Sequence, residues 1–238
     1  RSVAEGNFLV IDITQGQRKI IAEVDYSAAA MTLYEGAIYL IQAQPWQVET
    51  LDWEGRKAFV RTTKADYYTD AIDYTRLKIL ESFEQLRTHN GRCTQGEVHL
   101  VRRVAGYKKI RFQTHENIGF GHVNLPDQEM HTTALWWQLE PDVVNREFAE
   151  KQAALDGFLG AAHAMHFIAT LLTMSERRDI GRSVGTGESG WCTPDGLEIE
   201  VADVSDDEPA SASSESFIPT VYLYDNYPGG IGLTAPLF

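Results

Sequence analysis

At 238 residues, 43% of them hydrophobic and 23% charged, the chain has an ordinary globular composition and enough length to bury one large core or two small ones. A net charge of −13 excludes a nucleic-acid surface spread over the whole chain. The charge is uneven: Asp195 to Ser216 holds eight acidic residues and no Lys or Arg, leaving 26 acidic against 21 basic residues elsewhere and room for a local basic groove.

Two cysteines, Cys93 and Cys192, lie 99 residues apart without CxxC spacing, so neither a disulfide framework nor a zinc knuckle is indicated and a reducing cytoplasm fits. The N-terminus lacks the basic, apolar and small-residue layout of a signal peptide. Beginning at Arg1 without methionine and stopping at Phe238 as a new apolar segment starts, the sequence reads as a fragment.

Residues 1 to about 70 alternate in the manner of short strands. FLVIDI, RKIIAEV, AIYLIQ, WQVETLDW and KAFVRTT are separated by turns at Gln15-Gly16, Glu35-Gly36 and Glu54-Gly55, which predicts a small barrel or sandwich. Ser27 to Leu33 fits one helical turn. Tyr39, Trp46, Trp53, Tyr67 and Tyr68 are either core aromatics or base-stacking residues. Tyr74 to Arg87 reads as strand or short helix, and Asn90-Gly91 as a turn.

Glu97 to Thr114 is β-like and carries Arg102, Arg103, Lys108, Lys109 and Arg111, the densest basic stretch, with Gly106 predicting a hairpin bend between the two clusters. It is the phosphate-contacting candidate by charge, or else the solvated face of an edge strand. His115-Glu116-Asn117 lacks the HExxH spacing and reads as a polar turn. His131 to Leu139, HTTALWWQL, leads into a core strand.

Phe148 to Met174 predicts the main helix, apolar nearly all round in its second half and hence buried. Its longest apolar run, Phe158 to Met174, is 17 residues and carries His163 and His166, which fits a core helix better than a membrane span. Those histidines, three apart on one face, read as core side chains, and no metal ligands are assigned. Arg177 and Arg178 follow, either complementing the helix dipole or contacting phosphate. Residues 185 to 216 read as a flexible acidic insertion. Within it, Asp207-Glu208-Pro209-Ala210 is no magnesium site, because no apolar strand precedes it.

The chain closes on IPTVYLYDNYPGGIGLT. Thr220 to Tyr224 suits a buried strand. Asp225, Asn226 and Pro228 turn it, and Gly229, Gly230 and Gly232 allow either tight packing or backbone approach to a ligand. The phrase is neither GxGxxG nor GxxxxGK[ST], and the chain has no Gly-Lys dipeptide, so no nucleoside triphosphate site is present in it.

As a whole, YLYDNYPGGIGL resembles the signature of the C-terminal domain of bacterial mitomycin-repair-type superfamily 2 DEAD/DEAH-box DNA helicases. HTTALWWQL and FLGAAHAMHFIATLLTMSERRDIG resemble that domain's earlier blocks in the same order. LYEGAIYL, Leu51-Asp52, Tyr67-Tyr68-Thr69 and KKIRFQTHENIG resemble the module before it, so the resemblance covers nearly the whole chain. It implies an α+β fold: a small β-barrel-like N-terminal module over residues 1–85, then a mixed α/β domain over 86–238 with one long buried helix. It also implies that ATP and magnesium are handled by RecA-like motor domains outside this chain, and that a zinc-binding group of four cysteines follows Phe238.

Two functions remain open on this reading. One is the accessory region of a DNA-repair helicase that guides single-stranded or forked DNA and braces the motors. It would use the basic ribbon, Arg177, Arg178 and the Asp225, Tyr227, Pro228, Gly229, Gly230 and Gly232 loop. The other is a motorless interaction subunit of a multi-protein, for example anti-phage, assembly. Neither makes this chain catalytic alone, and neither calls for a membrane.

Overall fold

A computed structural model describes residues 6–16, 18–186, 189–192 and 218–238. Its elements in chain order are β1 (Asn7–Asp12), β2 (Lys19–Asp25), α1 (Tyr26–Thr32), β3 (Ile38–Ile41), β4 (Gln44–Asp52), β5 (Lys57–Thr62), β6 (Tyr67–Arg87), β7 (Gly91–Arg111) and β8 (Asn117–His122). Then come β9 (Gln128–Leu139), α2 (Pro141–Glu147), α3 (Lys151–Thr173), β10 (Ile180–Thr186), β11 (Ser189–Cys192), β12 (Pro219–Asp225) and a 3-10 turn at Ala235–Leu237. The fold is α+β and mostly strand. It forms two compact units, Arg1–Asp73 with Arg103–Asp127, and Tyr74–Arg102 with Gln128–Phe238. The sequence suggests one division at residue 85; in the structure residues 103–127 return to the first unit.

In the first unit the five alternating runs form the five expected strands, ordered β2-β1-β5-β4-β3, with β1 and β5 parallel and the other pairs antiparallel. Among the described residues β2 and β3 stand at the two ends of this order. Phe8, Val10, Val24, Val48, Val60 and the α1 residue Ala29 meet Leu33 and Tyr34 in its core. Each large side chain buried there contributes about 1.5–3 kcal/mol. The aromatics are packed: Trp53 lies 4.9 Å from Phe8 and 5.6 Å from Tyr26, Tyr68 lies 5.7 Å from Phe112, and Tyr39 and Trp46 lean on the core.

Tyr34 is 1% exposed and stacks on Tyr107 at 5.0 Å, and burial pushes its pKa up to about 12. Thr69 bonds the Ile38 N–H and the Tyr34 hydroxyl, which ties the LYEGAIYL block to the Tyr-Tyr-Thr block.

The second unit is built on a sheet ordered β6-β11-β10-β12-β9-β7 that curls until β6 and β7 also pair. On one face Leu77, Val98, Leu100, Ala134, Trp136, Tyr222 and Tyr224 form a core, and α3 covers the other through Phe158, Ala162 and Ala169 against Val184, Val221 and Leu223. Strand β12 is buried along both faces, which is why Thr220 to Tyr224 reads as a nearly continuous apolar run.

Three local expectations change. Gly106 makes no bend; β7 continues through it, and Gly106 is small because a Cβ would lie 2.8 Å from the Gly121 carbonyl on β8. Helix α3 is not buried all round: Ala154, Phe158, Ala162, His166, Ala169 and Thr170 face inward, while Phe167, Ile168, Leu171, Leu172 and Met174 are exposed. It has the length and apolar composition of a membrane span, but one stripe is committed to the sheet. The supposed insertion begins later than Gly185, since β10 reaches Thr186 and β11 pairs with β6; its acidic tract, with Asp207 to Ala210, lies outside the described residues.

Candidate nucleic-acid interface

The end of β7 and the whole of β8 form an antiparallel hairpin in the first unit. Tyr107 pairs with Gly121, Lys108 with Phe120 and Lys109 with Gly119, and a bulge follows between Lys109 and Ile110. Residues directly opposite share a face, and neighbours along a strand alternate. The Tyr107 face turns inward onto Tyr34. The Lys108–Phe120 face therefore turns outward, and Phe120 is 66% exposed, with His122 exposed two residues further on. Lys109 reaches over the Tyr67 ring at 5.6 Å, and Arg111, 44% exposed, stands 3.8 Å from Asp66 and 3.9 Å from Glu116. Those ion pairs are long and wet, so they hold Arg111 loosely. The hairpin closes through a turn at 112–114; His115, at φ 54°, and Glu116 follow it, and Asn117 already opens β8.

The other two basic residues of the ribbon are used internally. Arg102 lies in the second unit and gives its Nη2 proton to Asn226 at 2.7 Å. Arg103 lies in the first and forms a two-pronged bond to Asp127 at 2.6 and 2.8 Å. Arg177 and Arg178 are in the second unit, both exposed, with Arg178 paired to Glu176 at 2.7 Å. Of the seven basic candidates, Lys108, Lys109 and Arg111 share the hairpin of the first unit, and Arg102, Arg177 and Arg178 belong to the second.

The closing glycine loop is a different kind of object. Asp225 is fully buried, and its carboxylate accepts four backbone N–H groups: Ile231 at 2.8 Å, Gly232 at 2.7 Å, Leu233 at 3.0 Å and Thr234 at 2.9 Å. A cradle of amides in that form would suit a phosphate. Here its own aspartate fills it, so of the two roles left open for the glycines, packing describes the arrangement.

The remaining bonds join the sequence blocks. Thr132 donates to the Asp225 and Tyr227 carbonyls, and the Gly229 N–H donates to the His131 carbonyl at 2.7 Å. Gly230, at φ 69°, lies against Thr133, where a Cβ would come within 2.5 Å of its hydroxyl. The Tyr227 hydroxyl donates to Asp179 at 2.6 Å, which pushes the tyrosine pKa up to about 12, and Asn226 donates to the Asp179 and Arg178 carbonyls. HTT, RRD and YDNYPGG are therefore three sides of one hydrogen-bonded corner.

Of the paired helix histidines, His166 is buried and its Nε2 proton points at the Arg177 and Ile180 carbonyls at 3.0 and 2.8 Å. Burial pushes its pKa below the ordinary histidine value. His163 faces Arg182 instead at 3.3 Å, so the pair is split between two partners.

Sequence reasoning missed Phe120. The signal was present in Ile118-Gly119-Phe120-Gly121-His122, where glycine alternates with large residues. Gly121 is small because the Tyr107 ring lies across it, so the bulky residues are left to the outer face.

These blocks, in this order and on this α+β framework, define the C-terminal region of a DUF1998, MrfA-type helicase, and the chain belongs to that family. It is 33% identical over 239 residues to the uncharacterized ATP-dependent helicase YprA of Bacillus subtilis, a match covering 100% of this chain and 28% of YprA. The ATP-dependent helicase HRQ1 of Saccharomyces cerevisiae is 30% identical over 112 residues, which is 46% of this chain and 10% of HRQ1. Among solved structures, the DUF1998 helicase MrfA bound to DNA has a TM-score of 0.61 at 30% identity, over 100% of this chain and 28% of MrfA. MrfA bound to DNA and AMPPNP gives 0.51 at 28% identity, over 100% and 26%. No family model matches the chain.

Proposed function

We propose that this chain serves as the C-terminal accessory region of an ATP-dependent helicase of DNA repair, guiding single-stranded or forked DNA and bracing the RecA-like motor domains. The observation that carries the DNA role is the β7–β8 hairpin with Lys108, Lys109 and Arg111 on a chain that is otherwise acidic. The DNA-bound state of MrfA, to which this chain is similar over its whole length, supports it. Nucleotide and magnesium belong to the motors, zinc to the cysteines expected after Phe238, and the setting is cytoplasmic. Bracing draws support from the outer face of α3, where Phe167, Ile168, Leu171 and Leu172 are each more than half exposed and ask for a protein partner. That same face keeps the interaction-subunit reading alive.

The test is binding of the chain to fluorescent single-stranded and forked DNA over a salt series, beside a Lys108→Ala/Lys109→Ala/Arg111→Ala variant. For every phosphate that one of these cations neutralises, its removal should flatten the slope of log affinity against log salt by about 0.7 on a single strand. An unchanged slope removes the hairpin from the DNA path. No binding by the folded chain even at low salt favours the interaction subunit.

A further inference from the structure

We infer that the outer face of β8 is a base-stacking platform for single-stranded DNA, with Phe120 the ring on which a base sits. This rests on the DNA-guiding reading above and names the chemistry of that site.

The argument starts from exposure. Phe120 is 66% exposed, the largest value among the phenylalanines described, and it stands in mid-strand where its partner register is fixed by pairing on the β7 side. A strand holds its side chains more stiffly than a loop does, so the ring is presented in one orientation and loses little freedom when a flat partner lands on it. The inner face of the same two strands is spent on the Tyr107–Tyr34 stack, so Phe120 has no inward alternative. Ile118, 40% exposed, and His122 extend the apolar and planar surface along the strand.

Charge selects the occupant. An apolar protein surface would gain nothing from cations around the ring. Lys108 lies directly opposite Phe120 on the same face. A flat apolar ring with a cation directly beside it on an edge strand matches the alternation of base and phosphate in a single strand, whose bases are unpaired and free to stack. A duplex keeps its bases inside and offers only the phosphates. Strand β8 is also the edge of its sheet, so no further strand covers it among the described residues. By contrast, the aromatics that the sequence nominated for stacking, Trp53 and Tyr68 among them, are occupied by other rings.

The experiment compares two oligomers of equal length and charge, dT20 and the same backbone with abasic sugars, against the folded chain and its Phe120→Ala and Phe120→Trp variants. Stacking of one base is worth about 1–3 kcal/mol by alanine substitution, so Phe120→Ala should weaken dT20 binding by about fivefold to 150-fold. Binding of the abasic oligomer, which keeps the phosphates, should stay within twofold. Phe120→Trp should keep the preference for dT20, and its indole emission should be quenched by dT20 and not by the abasic strand. If Phe120→Ala binds dT20 as the parent chain does, while the triple basic variant does not, the platform is wrong and the DNA-guiding reading stands. If the parent chain binds neither oligomer, both fall. If Phe120→Ala weakens both oligomers equally, the ring acts on the hairpin's shape and not on a base, and the platform is again wrong.

Discussion

The glycine-rich corner and the β7–β8 hairpin are opposite solutions to the placement of polar groups. In the corner the backbone donors turn inward: four amides close on Asp225, Gly229 closes on the His131 carbonyl, and the Tyr227 hydroxyl closes on Asp179. In the hairpin one face is equally closed, with Tyr107 laid across Gly121 and onto Tyr34, but the other is open, with Phe120 and His122 in solvent. The most recognisable phrase of the sequence therefore marks architecture, and the surface suited to a partner is marked by little more than two glycines in alternation.

The sharpest way to break that contrast is at Asp225. Replacing it with alanine strands four amide donors, one buried and three part-buried, each worth up to about 1–3 kcal/mol when left unmade, and relaxation and water will recover part of this. The expected cost is about 3–5 kcal/mol, seen as a melting temperature lowered by roughly 10 °C or more. Asp225→Asn should cost less, because one oxygen remains to accept. If Asp225→Ala melts like the parent and loses DNA binding instead, the corner is a ligand site after all.

Next in size is a pair two residues apart on the hairpin. Gly121→Ala drives a methyl into the Tyr107 ring and should cost about 1–3 kcal/mol of overpacking, read from urea unfolding. Gly119→Ala meets only the Lys109 side chain at 3.9 Å and should stay within about 0.5 kcal/mol. Equal losses at the two positions would mean that the inner face is uniformly tight and the register is wrong.

Much of the fold was legible because burial alternates where one face is wet. The five N-terminal runs, the core strand ALWWQL and the length of α3 all follow from that periodicity. It failed where the cause lay outside the segment. Gly106 reads as a bend from its own neighbours, and only the approach of Gly121 on another strand explains it. Phe167, Leu171 and Leu172 read as buried because apolar residues usually are, and nothing local says which side of α3 has a sheet to cover it. Arg102 and Arg103 read as one basic cluster with Lys108, but adjacent strand residues point apart, and Asn226 and Asp127 lie 124 and 24 residues away. Asp225 was visible as a turn residue; its four amide partners were not, since the loop returns onto it only when folded.

A smaller effect separates the corner's hydrogen bonds from its packing. Tyr227 has its folded pKa raised from 10.0 to about 12 because its hydroxyl donates to Asp179. The bond is part-buried, so it is worth only about 1 kcal/mol after solvent screening. The sign follows from the raised value. The contribution is complete below pH 10, where the phenol is protonated in both states. It is lost between about pH 10 and 12, where the unfolded phenol ionises and the folded one does not. Tyr227→Phe should therefore be slightly less stable than the parent at pH 8, and the difference should shrink toward zero by pH 12. A constant difference across that range would assign the tyrosine's role to ring packing.

The smallest effect on stability is expected at Phe120, and its smallness is the point. A ring two-thirds in water contributes little transfer energy, so Phe120→Ala should shift the unfolding midpoint by less than about 0.5 kcal/mol. A residue that adds nothing to the fold and yet stands apolar and rigid at a sheet edge invites wrong pairing and aggregation. Such a feature needs compensation from something it does, and affinity for a single strand is the compensation proposed for it. Should unfolding experiments show that Phe120→Ala costs about 2 kcal/mol or more, the full-burial range, the ring is part of the core and the outer face of the hairpin is closed like the inner one. The contrast between corner and hairpin would then disappear.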